Sequence, residues 1–266
     1  MLIVVLLAVN GQAQNSAKRD FEVGTFVGFS HYNGDLNPWL QFGSGINNFA
    51  GGVALRKNMN RRYALRLNLF YGKVQGEDAL INSEYQNKRN LQFSSTVFEA
   101  STQIEFNFLP FDALDRKSIF TPYVFIGFGM FRFNPVAQLQ SNSYELIPLN
   151  TENQKYSRVQ PVIPFGTGIK LKLSHRILTS FEWGVRKTFT DYLDDVSGSY
   201  PLEAEIEGLS ADLSDRSIEQ VGPDGTNWGT QRGNSQNKDW YTYAGVVITI
   251  RLGVKKDACK TQERQN

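Results

Sequence analysis

The sequence predicts an all-β protein, an eight-stranded antiparallel transmembrane β-barrel with short periplasmic turns and long extracellular loops. Three observations carry this. Apolar residues recur at every second position in eight separate segments, a period that belongs to strands rather than helices. The links between segments alternate strictly between long and short. Aromatic residues close both ends of the apolar rows, as they do at the two interfaces of a membrane barrel.

The first segment, Asp20 to His31, sets Phe21, Val23, Val27 and Phe29 against Glu22, Gly24, Gly28 and Ser30. The second is Phe49 to Lys57, and the polar turn Asn58 to Arg62 leads into the third, Tyr63 to Lys73. There Tyr63, Leu65, Leu67, Leu69 and Tyr71 alternate with Ala64, Arg66, Asn68, Phe70 and Gly72. Ser95 to Phe108 is the fourth segment and Phe120 to Phe133 the fifth, joined through Leu109 to Ser118. Val159 to Tyr200 holds the sixth and seventh around a tight turn at Ser174 to Arg176, and Trp240 to Leu252 is the eighth. The long links are His31 to Asn48, Val74 to Ser94, Asn134 to Arg158 and Asp191 to Lys238. No amphipathic helix longer than two turns is evident.

Alternation alone does not say which face is inside, and a soluble lipocalin-like barrel would place the apolar row around a ligand. The polar row decides for the membrane: it is rich in Gly, Ser and Asn with single charges, unlike a solvated Lys/Glu face. Glu22, Arg56, Arg66, Glu99, Glu105, Arg132, Glu182, Arg186 and Arg251 are then expected to point inward and pair acid with base. Side chains would fill the interior of so small a barrel, which argues against an open channel.

The ends of the chain read as separate pieces. Residues 1–13 resemble a signal peptide, with an apolar run from Leu2 to Val9 and small residues at Gly11 and Ala13, although no basic residue precedes the run. Residues 14–19 form a short lead, 20–253 the outer-membrane barrel, and 254–266 a periplasmic tail. The single Cys of the 266-residue chain, Cys259, lies in that tail. An unpaired Cys in an oxidising compartment points to an intermolecular disulfide or a free thiol.

Catalysis is not expected. The two histidines, His31 and His175, fall at opposite ends of the barrel and cannot share a site. Asp191, Asp194 and Asp195 lack the spacing of a calcium loop and, beside Thr188 and Thr190, read as a structural turn cluster. The glycines at Gly127 to Gly129 and Gly166 to Gly168 precede no helix, so they do not cradle phosphate. With 28 Lys plus Arg against 26 Asp plus Glu, no bulk attraction to nucleic acid is implied. No catalytic residue, metal ligand or cofactor is therefore predicted, and outer-membrane lipids are the expected surroundings.

Several strings resemble the PorG family of type IX secretion and gliding barrels. They are HYNGDLN from His31, TPYVFIGFGMFRFNP from Thr121, PLNTENQKYS from Pro148, IPFGTGIKLKL from Ile163, RKTFTDYLDDVSGSY from Arg186 and the closing DWYTYAGVVITIRL. At Asn153 the family's loop more often carries Gly, so a turn with positive φ is expected to be lost there. The resemblance implies a structural role, anchoring a periplasmic ring of the lipoprotein PorK and of PorN to the outer membrane. It places the contact on the periplasmic turns and the tail, with Asp112, Asp115, Arg116, Lys255 and Lys256 as candidates. Cys259 would then bridge to a Cys of the ring lipoprotein. The rival expectation is a surface adhesin or ligand-binding barrel acting through its long loops, above all residues 201–238.

Overall fold

The computed structural model describes residues 21–38, 47–81, 83–113, 115, 117–222 and 226–252. The stretches expected to be a signal peptide and a lead, Arg116, and residues 253–266 with Lys255, Lys256 and Cys259 lie outside the described residues. Eight strands close a barrel: β1 (Phe21–Asn33), β2 (Asn48–Asn58), β3 (Tyr63–Glu77), β4 (Gln92–Asn107), β5 (Phe120–Leu139), β7 (Val159–Lys172), β8 (Ile177–Thr188) and β9 (Trp240–Arg251). A short β6 (Asn142–Glu145) pairs only with the tip of β5. Neighbouring strands are antiparallel throughout, and the β1–β9 and β4–β5 ladders complete the ring. Closure leaves the barrel wall no free edge, which a sheet in lipid requires.

The parity read from the sequence sets which face is which. On β3, Tyr63, Leu65, Leu67, Leu69 and Tyr71 are exposed, whereas Ala64, Arg66, Asn68 and Phe70 are buried. The same holds on β1, where Val23, Val27 and Phe29 point out and Glu22, Phe26 and Ser30 point in. A soluble barrel would show the reverse, so the lipocalin-like arrangement is excluded. Aromatic rings collect at two levels of the outer face. Phe29 pairs with Phe49 and Tyr71 with Phe98 toward the long loops, while Tyr63 pairs with Phe106 at the other end. So large a continuous apolar surface belongs in a bilayer, and the closed antiparallel form places it in the outer membrane.

Of the nine charges expected to point inward, eight face the lumen: Glu22, Arg56, Arg66, Glu99, Glu105, Glu182, Arg186 and Arg251 are all buried. Arg132 is the exception. It is exposed on the outer face of β5, because Tyr123, Phe125, Phe131 and Phe133 take the inward parity and fill the lumen with rings. Arg132 pairs in register with Phe98, at the level of the outer aromatic band, a depth at which a long basic side chain can turn toward the headgroups.

Strands β3, β4 and β5 also run several residues past their expected ends. With β6 they build a sheet that stands above the barrel beside the long loops. At the opposite wall Gly28 faces Gly245 across the β1–β9 ladder. A Cβ on Gly28 would collide with the Ala244 carbonyl and approach the Phe26 ring at 2.8 Å. Gly28→Val is therefore expected to cost about 1–3 kcal/mol or more, read as loss of the heat-modifiable folded band. An unshifted band would show that the wall yields there.

Candidate functional site

The lumen is a packed polar core in three tiers. Nearest the short turns, Arg56 bonds Glu22 at 2.9 Å and Glu105 at 3.1 Å, and Lys170 reaches Glu105 at 2.5 Å and Asn107 at 3.0 Å. In the middle, Arg66 grips both oxygens of Glu182, at 2.5 and 3.0 Å, touches Glu105 at 3.2 Å and donates to Gln103. The Tyr123 hydroxyl adds a bond to Glu182 at 2.8 Å, and the Arg66 guanidinium lies 5.0 Å from the centre of the Phe125 ring. Above it, Arg186 pairs with Glu99 at 3.3 Å between the rings of Phe70 and Tyr243, and Tyr241 donates to Glu99 at 3.0 Å. Charges in such a core persist because each is paired and hydrogen-bonded. Lys170 escaped the sequence reading although its parity, shared with Val162, Pro164, Gly166 and Gly168, carries the signal.

The extracellular mouth is covered by a cap made from all four long links. Arg89 holds Asp78 through two bonds of 2.7 Å and also donates to the carbonyls of Arg232 and Asp35. Arg232 in turn bonds Glu152 at 2.9 Å, the Asp195 carbonyl at 2.6 Å and the Ser214 carbonyl at 3.0 Å. Glu152 accepts from the amides of Ser197 and Gly198. Both arginines are buried. Sequence reasoning missed this pair because loops carry no periodicity to mark an inward position.

The cluster at Asp191 to Asp195 forms turns, as expected. Thr190 accepts from the Tyr192 amide and Asp194 from the Val196 amide. Asp191 bonds Ser197, Asp195 bonds Thr151 and Tyr156, and the Tyr32 hydroxyl sits between Asp194 and Asp239. These carboxylates are spent on holding loops. Asn153 corrects one expectation: it adopts φ 53° itself and closes the turn with Asn150 at 2.7 Å, so Asn replaces Gly without losing the bend.

Burial pushes the Asp195 carboxyl up to about 6 against the pull of Arg232, and burial likewise holds Asp194 and Asp239 well above the usual range. A raised carboxyl pKa gives stability that is full below the unfolded value and lost as pH rises through the folded one. The cap is thus expected to be tighter at pH 5 than at pH 7.5, by about 1.4 kcal/mol from Asp195, because only the last unit below its folded value falls in that interval. Amide exchange over residues 190–198, corrected for intrinsic rates, reads this directly. Equal or greater protection at pH 7.5 would contradict it.

At the periplasmic end the turn of residues 108–119 lies across the mouth. The Phe111 amide bonds the Arg61 carbonyl at 2.8 Å, His175 bonds the Ala113 carbonyl at 3.3 Å, and Arg251 reaches Asp112 at 3.4 Å. Lys172 donates to the Asp115 carbonyl at 2.5 Å, and Asp115 lies 3.9 Å from Arg61. The turn therefore touches the β2–β3 turn, the β7–β8 turn and the end of β9, fusing them into one plate. Of the candidate contact residues, Asp112 and Asp115 are on this plate, half-buried and each beside an arginine.

With this geometry in place the comparisons with known proteins can be read. Residues 1–216 match a family described as Domain of unknown function (DUF6089). The chain belongs to the DUF6089 family. Comparison with curated proteins finds no match. Solved barrels similar to this DUF6089 chain include Neisserial surface protein A, 9% identical with a TM-score of 0.43 over 86% of this chain and 96% of that one. Ail of Yersinia pestis, in complex with the heparin analogue sucrose octasulfate, is 8% identical with a TM-score of 0.41 over 88% and 99%. OprG of Pseudomonas aeruginosa is 11% identical with a TM-score of 0.38 over 87% and 96%. Likenesses this low do not bear on what the DUF6089 barrel does.

Proposed function

We propose that the barrel is a non-catalytic anchor that holds a periplasmic ring of PorK and PorN type to the outer membrane in a type IX secretion system. The observation that carries this is the pairing of a filled lumen with a periplasmic mouth closed by a pinned plate. Such a body conducts nothing and presents a fixed surface to the periplasm. The resemblance of the Arg186 to Tyr200 string and its companions to PorG supplies the partner. Cys259 in the tail would form the disulfide to the ring lipoprotein.

The test is affinity capture of the full chain from gently solubilised envelopes, run on reducing and non-reducing gels, with wild type beside Cys259→Ser. Recovery of the ring proteins with a reductant-sensitive band that vanishes in the variant is the expected result. Recovery without that band makes the anchor noncovalent; no ring protein in the capture sinks the anchoring reading. A second reading, ligand binding at the cell surface, is favoured by one feature. A cleft of 360 Å³ opens between the long links, lined by Asp35, Ser83, Tyr85, Gln86, Arg89 and Asn234 among others. Deletion of residues 201–238 that abolishes surface binding while secretion continues would favour this rival.

A further inference from the structure

Charge on this barrel is segregated across the membrane. Overall the chain is nearly balanced, with 28 basic and 26 acidic residues. On the extracellular side the stretch 203–219 carries Glu203, Glu205, Glu207, Asp212, Asp215 and Glu219 against Arg216 alone. On the periplasmic plate the balance reverses. Lys57, Arg61, Arg62, Lys117 and Arg176 are exposed there, and Lys172 is half-buried. The plate's described carboxylates are Asp112 and Asp115, both half-buried and facing arginines of the barrel itself.

Position separates these cations by what they can meet. Lys57 lies on the outward row of β2, with its ammonium 5.8 Å from the centre of the Phe21 ring, at the level of lipid headgroups. Arg61, Lys117 and Arg176 instead sit on the turns, and the turn bearing Lys117 is drawn across the mouth by its bonds to Arg61, His175 and Arg251. Exposed apolar side chains stand among them at the tips, Met59 and Leu173 being about two-thirds exposed. Exposed cations beside exposed apolar side chains give this surface both a charge that can steer a partner and apolar area that can be buried against it.

We propose that this plate docks an acidic face of a periplasmic protein, with Lys117 and Arg176 steering it and Met59 and Leu173 entering apolar recesses. The proposal rests on the anchoring reading and specifies the chemistry of its contact. Complementary charge sets the approach and the register, and like charge across such a contact is strongly penalised. Arg61 and Arg62 are excluded from the test, because Arg61 lies 3.9 Å from Asp115 and Arg62 holds the Phe108 carbonyl at 2.8 Å.

The experiment places the full chain in nanodiscs of zwitterionic phosphatidylcholine and measures binding of a purified ring complex of PorK and PorN type. Wild type is compared with Lys117→Glu/Arg176→Glu and with the milder double Gln variant, each first shown to run as a heat-modifiable folded band. The expected result is binding that weakens at least about ten-fold in the Glu variant and less in the Gln variant. Wild-type binding should also weaken between about 0.05 M and about 0.5 M salt. Unchanged affinity in both variants, or binding indifferent to salt, overturns the acidic-face proposal and leaves the anchoring reading standing. A Glu variant that loses only co-purifying anionic phospholipid and keeps the ring overturns it in favour of headgroups. A wild-type barrel that binds no ring at low salt overturns both.

Discussion

Arg66→Ala is expected to destabilise the folded barrel by about 3–5 kcal/mol, because it strands buried carboxylates without their counter-charge. Arg66 holds both oxygens of Glu182 and touches Glu105, so one truncation removes the hub of the middle tier. Its stacking on Phe125 is lost as well. Urea unfolding in detergent micelles, followed by tryptophan fluorescence, gives the number. The companion Arg66→Met/Glu182→Leu removes the pair together and should recover part of the loss, since well-packed apolar replacements avoid the desolvation penalty of both ions. A single mutant within about 1 kcal/mol of wild type would mean that water, rather than Arg66, solvates Glu182.

Arg232→Ala is the second large effect, confined to the cap. Arg232 ties Glu152 to the carbonyls of Asp195 and Ser214, and its own carbonyl receives Arg89. Removing the side chain leaves Glu152 buried and uncompensated, at a local cost of about 3–5 kcal/mol. The expected result is rapid protease nicking between residues 201 and 238 while the barrel band stays folded. The wall does not depend on the cap, because its ladders close below it. Equal nicking rates in wild type and variant would show that the loops are held by something other than this arginine.

The barrel was legible in the sequence because a strand has only two faces. Once Leu65, Leu67 and Leu69 occupy the lipid face, Arg66 and Asn68 can only face the lumen, and the neighbouring ladders propagate the choice. Arg132 shows where that logic fails. On β5 both rows are largely apolar, Val124, Ile126, Phe128 and Met130 against Tyr123, Phe125, Phe131 and Phe133, so a lone charge misreported the inward row. The ring-filled lumen was the competing requirement that won. The strand extensions into Glu77, Gln92 and Leu139, and β6 beside them, lay in polar sequence that reads as loop.

The pairing of acids with bases was predictable in kind but not in detail. Glu182 and Arg66 lie on strands far apart in sequence, and only the closed ring brings them to 2.5 Å. The cap was the least legible part. Its anchors Asp78, Arg89, Glu152 and Arg232 come from three different links and meet through backbone carbonyls as often as through side chains. No local pattern encodes such a meeting. On the periplasmic side the link that carries Asp112 and Asp115 reads as a turn in the sequence, but nothing there points to Arg251 and Arg61 as the arginines beside them.

The measurement that tests the central claim most directly is the conductance of the purified full-length chain in planar lipid bilayers. A filled, capped and plated barrel that serves as an anchor should insert without opening a pore, giving no stable channel steps at either polarity. Sustained ohmic steps from the wild-type chain would contradict that account. They would mean that the Arg66, Glu182 and Glu105 tier and the plate over the periplasmic mouth yield to ions, and that the protein works as a conduit.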